Sequence, residues 1–503
     1  MALGFLISVA FVLLLSILLH ALVISVYNVY FHPLKHIPGP KLAAATRIPY
    51  ICHVIAGTTV TNITRLHEEY GEVVRFSPDE VSFISAESAW PDIYGSRTGK
   101  MKGHPNMPKS HTWYAPSPNN VPSILIAGDE DHFRIRRVLA PAFTEKALNE
   151  QEALLQDHTN QIVSRLKEAC LEGRRVVDMV EWYVWTTFDI MTDLVFGKPV
   201  GCLLNAATHK YLELLYKSVA AFRFYYIMAN FPMVKKLGNL VVDKDLVKKR
   251  IEYFRWVSDC ARNRLTRVAG RPDFMTYITR TGDRKDATGL ADEEIFANCH
   301  VMLIAGSETT ATLLSGLTYL LLMNPDVKHK LELEVRNHFT YYQDIKLSEL
   351  SKMPYLLAVL NEGLRYYPPV PTGFERTVGP GGEVISGYFI PETTGVCVSS
   401  FPSHHSKRNF RDPDVFAPER WMDDPHYASD KRNGFKPFSF GPRGCLGKNL
   451  AYAEMRLILA KFVWSFDAQI DDTSMNWLAR CKVMTLWVKP KLLVNLKVRS
   501  DNF

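Results

Sequence analysis

The run Phe438-Ser439-Phe440-Gly441-Pro442-Arg443-Gly444-Cys445-Leu446-Gly447 constrains this chain more than any other stretch. A helical stripe starts where it ends: Leu446, Leu450, Ala453, Leu457, Ala460 and Trp464 recur at alternating steps of four and three. Cys445 therefore stands just before a helix N-terminus, where backbone N–H groups and the dipole favour negative charge. Gly441, Pro442 and Gly444 let the backbone fold tightly around a sulfur. Arg443 adds positive charge two residues away. These residues describe a place built to hold a thiolate. A structural cysteine in a glycine-rich turn is the plainer alternative.

A length of 503 residues alone suggests about three domains. No Pro/Gly/Ser linker, repeat or composition break divides the chain, so a single large, mainly α domain with a small β region is expected. The net charge of +7 is diffuse, and no basic stripe with interleaved aromatics argues for nucleic acid. Lys431, Arg432, Lys436, Arg443, Lys448 and Arg456 gather around the cysteine loop. They are either a solvated face or a docking patch for an acidic electron donor. The eight cysteines show no CxxC or zinc-like spacing, so the others read as free thiols in a reducing compartment. The sequon at Asn62 is then fortuitous.

Residues 1–30 carry no charged side chain, and Leu3–Val29 is almost wholly apolar. That exceeds the roughly 20 residues a helix needs to span a bilayer. A secretory signal would want a basic start and a shorter apolar core. Lys35, Lys41 and Arg47 follow the segment and no Lys or Arg precedes it, which places the rest of the chain on the cytoplasmic side. The expected organisation is an anchor at 1–30, a proline-rich segment at 31–41 that cannot continue the helix and one large domain at 42–503. Within that domain, residues 72–84 read as a strand pair, 95–120 as irregular, and the chain to about 370 as helical. Short strands are expected at about 371–400 and again between Cys481 and Val498.

Two further patterns carry chemistry. The apolar helix expected at Asp292–Leu322 is interrupted by Ala305-Gly306-Ser307-Glu308-Thr309-Thr310, residues that are costly inside such a helix. Their hydroxyls can bond carbonyls a turn earlier, leaving either a kinked structural helix or room for water. Glu362 and Arg365, three apart on a helix starting near Pro354, are an ordinary ion pair on their own.

The cysteine loop resembles that of the cytochrome P450 family position for position: Phe438, Gly441, Arg443, Cys445 and Gly447 occupy its five signature places. The likeness covers essentially the whole chain. It implies the cytochrome P450 fold and a heme b whose iron is held by the Cys445 thiolate, which favours O–O cleavage. The Ala305–Thr310 run is similar to the family's oxygen-activating helix, which implies that Thr309 steadies dioxygen and Glu308 feeds protons. Glu362, Arg365 and Arg420, the last in Pro418-Glu419-Arg420-Trp421, resemble a buried structural triad. The family pattern implies that His132, Arg136, Arg376 and Arg443 meet the heme propionates, with His132 standing where many members have Trp. Phe438 is implied at the cofactor as well. Ala221–Met233 resembles the lid and membrane-facing mouth of a channel for an apolar small molecule. No GxGxxG after a strand and no P-loop occurs, and too little sequence follows the cysteine helix for a fused flavin domain. The expected electron donor is therefore NADPH-cytochrome P450 reductase, with cytochrome b5 as a second candidate, at the endoplasmic reticulum membrane.

The hinge Tyr30–Leu34, the Tyr366–Val370 run and the cysteine loop are most similar to the fungal isotrichodermin C-15 hydroxylase group. The resemblance implies a monooxygenase hydroxylating or epoxidising a terpenoid or polyketide in secondary metabolism. A heme-thiolate isomerase or dehydratase is one alternative, against which intact Glu308 and Thr309 argue. A non-catalytic heme-binding membrane protein is the other. The open distal pocket implied by Ala305-Gly306 argues against it.

Overall fold

The computed structural model describes residues 2–98, 103–220, 222–231, 244–267, 270–280 and 289–499. Ala221, Pro232 and Met233 of the expected lid lie outside them.

The uncharged N-terminal stretch forms one helix, Ala2–Tyr30, exposed along its spanning length. Pro33 stops it and opens a 3-10 turn, Pro33–His36. The proline-containing segment after the helix is not a loose tether. Leu34 is fully buried in the domain, and the Pro38 carbonyl accepts the Arg75 N–H at 2.8 Å. The buried Arg75 guanidinium donates to the Asn28 carbonyl at 2.9 Å, back inside the helix, while Asn28 Nδ2 donates to the Ala45 carbonyl at 3.1 Å.

The expected strand pair is Val73–Ser77 against Glu80–Phe83, antiparallel. Gly395–Val398 continues that sheet in parallel, and Arg376–Thr377 closes it. The region at 371–400 adds a hairpin, Glu383–Ile385 with Tyr388–Ile390. The expected strand between Cys481 and Val498 is three short ones: Lys482–Met484, Leu486–Val488 and Leu493–Val498. Thr485 turns the chain at φ +88°, and Pro490 has no N–H for a ladder.

Helices make the rest. Asp292–Met323 packs along Met179–Phe196, whose residues are nearly all buried. A Cβ on Gly306 would lie 2.3 Å from Met191 Sδ, so this glycine serves close helix packing rather than opening a pocket. The cysteine helix runs Lys448–Ser465 and lies against Glu145–Leu171. It begins two residues after Leu446, because Gly441–Arg443 forms its own 3-10 turn and Gly447 caps the helix.

Candidate active site

The loop before the Lys448–Ser465 helix is shaped by contacts that admit few alternatives. Gly441 takes φ +72°, and a Cβ there would sit 2.0 Å from the Tyr94 carbonyl oxygen. The Cys445 N–H donates to the Phe438 carbonyl at 2.8 Å, closing the loop. The Phe438 ring meets Tyr452 at 5.4 Å. Arg136 donates to the Gly444 carbonyl at 2.8 Å, so it braces the loop. The Cys445 side chain itself is left accessible. Surrounding protein raises its thiol above the ordinary value, while the Gly447 N–H and Arg136 act the other way.

Arg443, two residues earlier, turns inward and joins a cluster of cations. Its Nη2 donates to Asp129 Oδ1 at 2.7 Å, but Nη1 is buried without a partner. Arg376 reaches the Met107 carbonyl at 3.3 Å and lies over the Tyr94 ring, with Nε unpartnered. His132 is 2% exposed with Nδ1 unpartnered. Burial, then Arg443, Lys109 and Arg136, push it down to about 3. Lys109 bridges to Arg376 across a β-bridge and is held well below its usual range by burial, Arg376 and Arg443. It also sits 4.8 Å over the Tyr114 ring, whose buried hydroxyl has no partner. Asp129 is the carboxylate that these groups share. Buried cations without counter-charge are costly. The cluster therefore suits a ligand carrying two carboxylates, as heme does. Lys109 and Tyr114 were not legible beforehand, because they lie in irregular chain and reach the cluster only through the fold.

Ala305 and Thr309 face a cavity with about 230 Å³ of room for the centres of water-sized groups. Apolar side chains make most of its wall, among them Val54, Leu125, Val301, Ile304, Val370 and Leu486. Tyr114 belongs both to this wall and to the cation cluster. The Asp292–Met323 helix continues unbroken through the polar run. Thr309 Oγ1 donates to the Ala305 carbonyl at 2.6 Å, and Ser307 Oγ to that of Leu303 at 2.6 Å. Glu308 is next to Thr309 in sequence but is no part of the cavity wall. It is 4% exposed and accepts from the Tyr216 hydroxyl at 2.8 Å and from Lys489 Nζ, which also donates to Thr312 Oγ1 at 2.7 Å. Lys489 escaped sequence reasoning, being 181 residues away. Lys489→Met is expected to destabilise the protein by about 3 kcal/mol, since it leaves a buried carboxylate without its cation. Adding Glu308→Gln should recover most of that in urea unfolding. A double variant no more stable than the single one would show that the pair is not coupled.

Behind the site, Arg365 donates two bonds to Glu362, at 2.9 and 2.8 Å, and Arg420 one at 3.4 Å, all three side chains being fully buried. Trp421 Nε1 and the Ala417 N–H complete the carboxylate's shell at 2.9 and 3.0 Å. Asp430 pairs with Arg420 and is an unforeseen fourth member. Glu454, also unforeseen, is buried on the cysteine helix with its carboxyl pushed up to about 8 by burial. Of the basic residues around the loop, Lys431, Arg432 and Lys448 are exposed, whereas Arg443 points inward and Arg456 donates to the Tyr452 carbonyl.

Relatives match this chain over nearly its whole length. The chain is 54% identical to cytochrome P450 monooxygenase traB of Penicillium crustosum over 477 residues, 94% of each chain. It is 42% identical to cytochrome P450 monooxygenase lcsI of Purpureocillium lilacinum, over 95% of this chain and 92% of that one. With an averantin hydroxylase of Dothistroma septosporum it shares 40% identity, over 96% and 90% of the two chains. Residues 43–496 match the cytochrome P450 family, and with that span the chain belongs to this family of heme-thiolate monooxygenases.

Proposed function

We propose that this chain is a membrane-anchored monooxygenase that hydroxylates or epoxidises a small, largely apolar terpenoid or polyketide in fungal secondary metabolism. The observation that carries this reading is the cavity wall: Ala305 and Thr309 present a methyl and a hydroxyl to an apolar space bordered by the under-compensated cation cluster. Relatives named as monooxygenases, and one named an averantin hydroxylase, support it. In this reading the Cys445 thiolate would hold the heme iron, and Arg443, Arg376, His132, Lys109 and Tyr114 would meet the heme carboxylates. Arg136 and Phe438 hold the loop. Heme, when bound, supplies dioxygen activation at its iron. The chain's own residues do the rest. The cavity excludes water and holds the substrate. Thr309, its proton engaged by the Ala305 carbonyl, offers its oxygen lone pairs to the cavity. Glu308 keeps a carboxylate one residue behind it, and rotation away from Lys489 would bring that group to proton supply.

The proposal extends to organisation: an anchor at 1–30, a hinge at 31–41 and a catalytic domain at 42–503, single-pass in the endoplasmic reticulum with the domain in the cytoplasm. Electrons would come from NADPH-cytochrome P450 reductase, with cytochrome b5 as a second donor, across the face bearing Lys431, Arg432 and Lys448. The finer likeness to the isotrichodermin C-15 hydroxylase group belongs to the proposal too. The test is turnover with reductase under ¹⁸O₂: one labelled oxygen should enter the product. Product without label would favour an isomerase or dehydratase, and no product from any candidate substrate a non-catalytic heme protein. Thr309→Ala should keep heme and substrate while product per NADPH falls by up to about 10²-fold, the excess appearing as peroxide. Unchanged coupling would remove Thr309 from the mechanism.

A further inference from the structure

One side chain in the cavity wall does not suit a purely apolar substrate. Arg250, from the Lys244–Leu265 helix, lines the cavity. Among the described residues no carboxylate pairs with it; its Nη2 donates to the Pro116 carbonyl at 2.6 Å. Burial pulls its guanidinium below the usual range, and the Tyr225 hydroxyl acts only partly against this. His300, on the Asp292–Met323 helix, is its neighbour. The His300 ring packs on Tyr253 and Phe254, centroids 5.4 and 5.6 Å away, which follow Arg250 by three and four positions on its helix. His300 is 6% exposed, and its Nδ1 is enclosed without a hydrogen-bond partner. Burial and the Arg250 charge hold this imidazole down to about 3, so it is neutral and adds no charge of its own. The corner is thus one half-buried cation without a carboxylate partner beside a neutral ring, in a wall otherwise mostly apolar.

The helix sets a length scale. His300, Val301, Ile304, Ala305 and Thr309 all line the cavity. The nine steps from His300 to Thr309 correspond to about 13 Å of helix.

We propose that Arg250, beside His300, anchors an anionic oxygen group, a carboxylate or an ionised enol, on an otherwise apolar substrate whose oxidised carbon lies toward Thr309, about 13 Å along the helix from His300. The half-buried guanidinium would gain the counter-charge it lacks, through a charge-assisted bond made at the cavity wall. This deepens the monooxygenase reading and rests on it only for which end is oxidised.

The test uses the full-length, heme-loaded ferric protein without reductant, with dodecanoic acid and methyl dodecanoate as probes. Binding is read from the heme absorption shift and from fluorescence of the tryptophans, of which Trp113 lines the cavity. The acid should bind at least about tenfold more tightly than the ester. Arg250→Met should bring the two together by weakening the acid alone, and Arg250→Lys should keep part of the preference. Arg255→Gln, a charge loss at an exposed position of the same helix, should leave the preference intact. Equal affinities in the wild type would overturn the anchor. So would acid and ester weakening alike in Arg250→Met, which would make Arg250 a structural tie to the Pro116 segment. An equal loss in Arg255→Gln would reduce the effect to long-range charge. In turnover, oxygen should enter the methyl-terminal half of the acid; entry beside the carboxyl would overturn the length assignment. Binding here consumes no dioxygen, so acid-selective binding with no ¹⁸O-labelled product would fault the monooxygenase reading and spare the anchor.

Discussion

Cys445→His is expected to give a folded protein whose reduced carbon monoxide complex lacks the red-shifted Soret band of a thiolate ligand, with monooxygenase turnover at background. The fold should survive because the loop does not depend on this side chain for packing. Its bond to the Phe438 carbonyl is made by the backbone N–H, Gly441 sets the turn, and the thiol is accessible. What is lost is chemical: an imidazole does not donate electron density as a thiolate does, and O–O cleavage depends on that donation. Retention of the thiolate-type band in Cys445→His would assign the ligand elsewhere. Among the other cysteines, Cys202, Cys299 and Cys397 are buried, and burial raises each thiol, which makes them poor substitutes.

Glu362→Ala should be the most destabilising single change outside the cofactor site, at least about 5 kcal/mol. Four donors converge on this carboxylate: Arg365, Arg420, Trp421 Nε1 and the Ala417 N–H. Its removal leaves two fully buried guanidinium groups with the Asp430 carboxylate as their remaining acid. Arg365 also holds the His404 and Pro413 carbonyls, at 3.0 and 2.7 Å, so the failure should spread into the segment that leads to the cysteine loop. Heme-loaded protein should therefore be lost along with stability. Urea unfolding of the purified variant checks this, and a loss under about 1 kcal/mol would mean that the charges find water or other partners.

The parts of the site that could be read beforehand are those whose chemistry is local. The cysteine loop packs its glycines, arginine and thiol into ten consecutive residues, and the polar run in the long helix stands out against apolar neighbours. Glu362 and Arg365 are one turn apart. What escaped is non-local. Lys109 reaches Arg376 across 267 positions through a β-bridge, and Lys489 reaches Glu308 from the C-terminal strands. No periodicity marks either. Gly306 shows a different failure. Its residue type signals that space is needed, but not whether a ligand or a neighbouring helix takes that space, and here Met191 does. The start of the cysteine helix was placed two residues early for a related reason: the apolar stripe continues through Leu446 although the backbone there is still turning.

Arg75 has a mechanical consequence. Its guanidinium is shared between the Pro78 carbonyl in the sheet's turn and the Asn28 carbonyl near the end of the apolar helix. The helix and the domain are therefore welded together at one buried strut instead of being joined by a swivel. With the helix in a bilayer, as proposed, the domain's attitude to the lipid would be set by its own chain, and strain introduced in the first sheet would be transmitted as tilt.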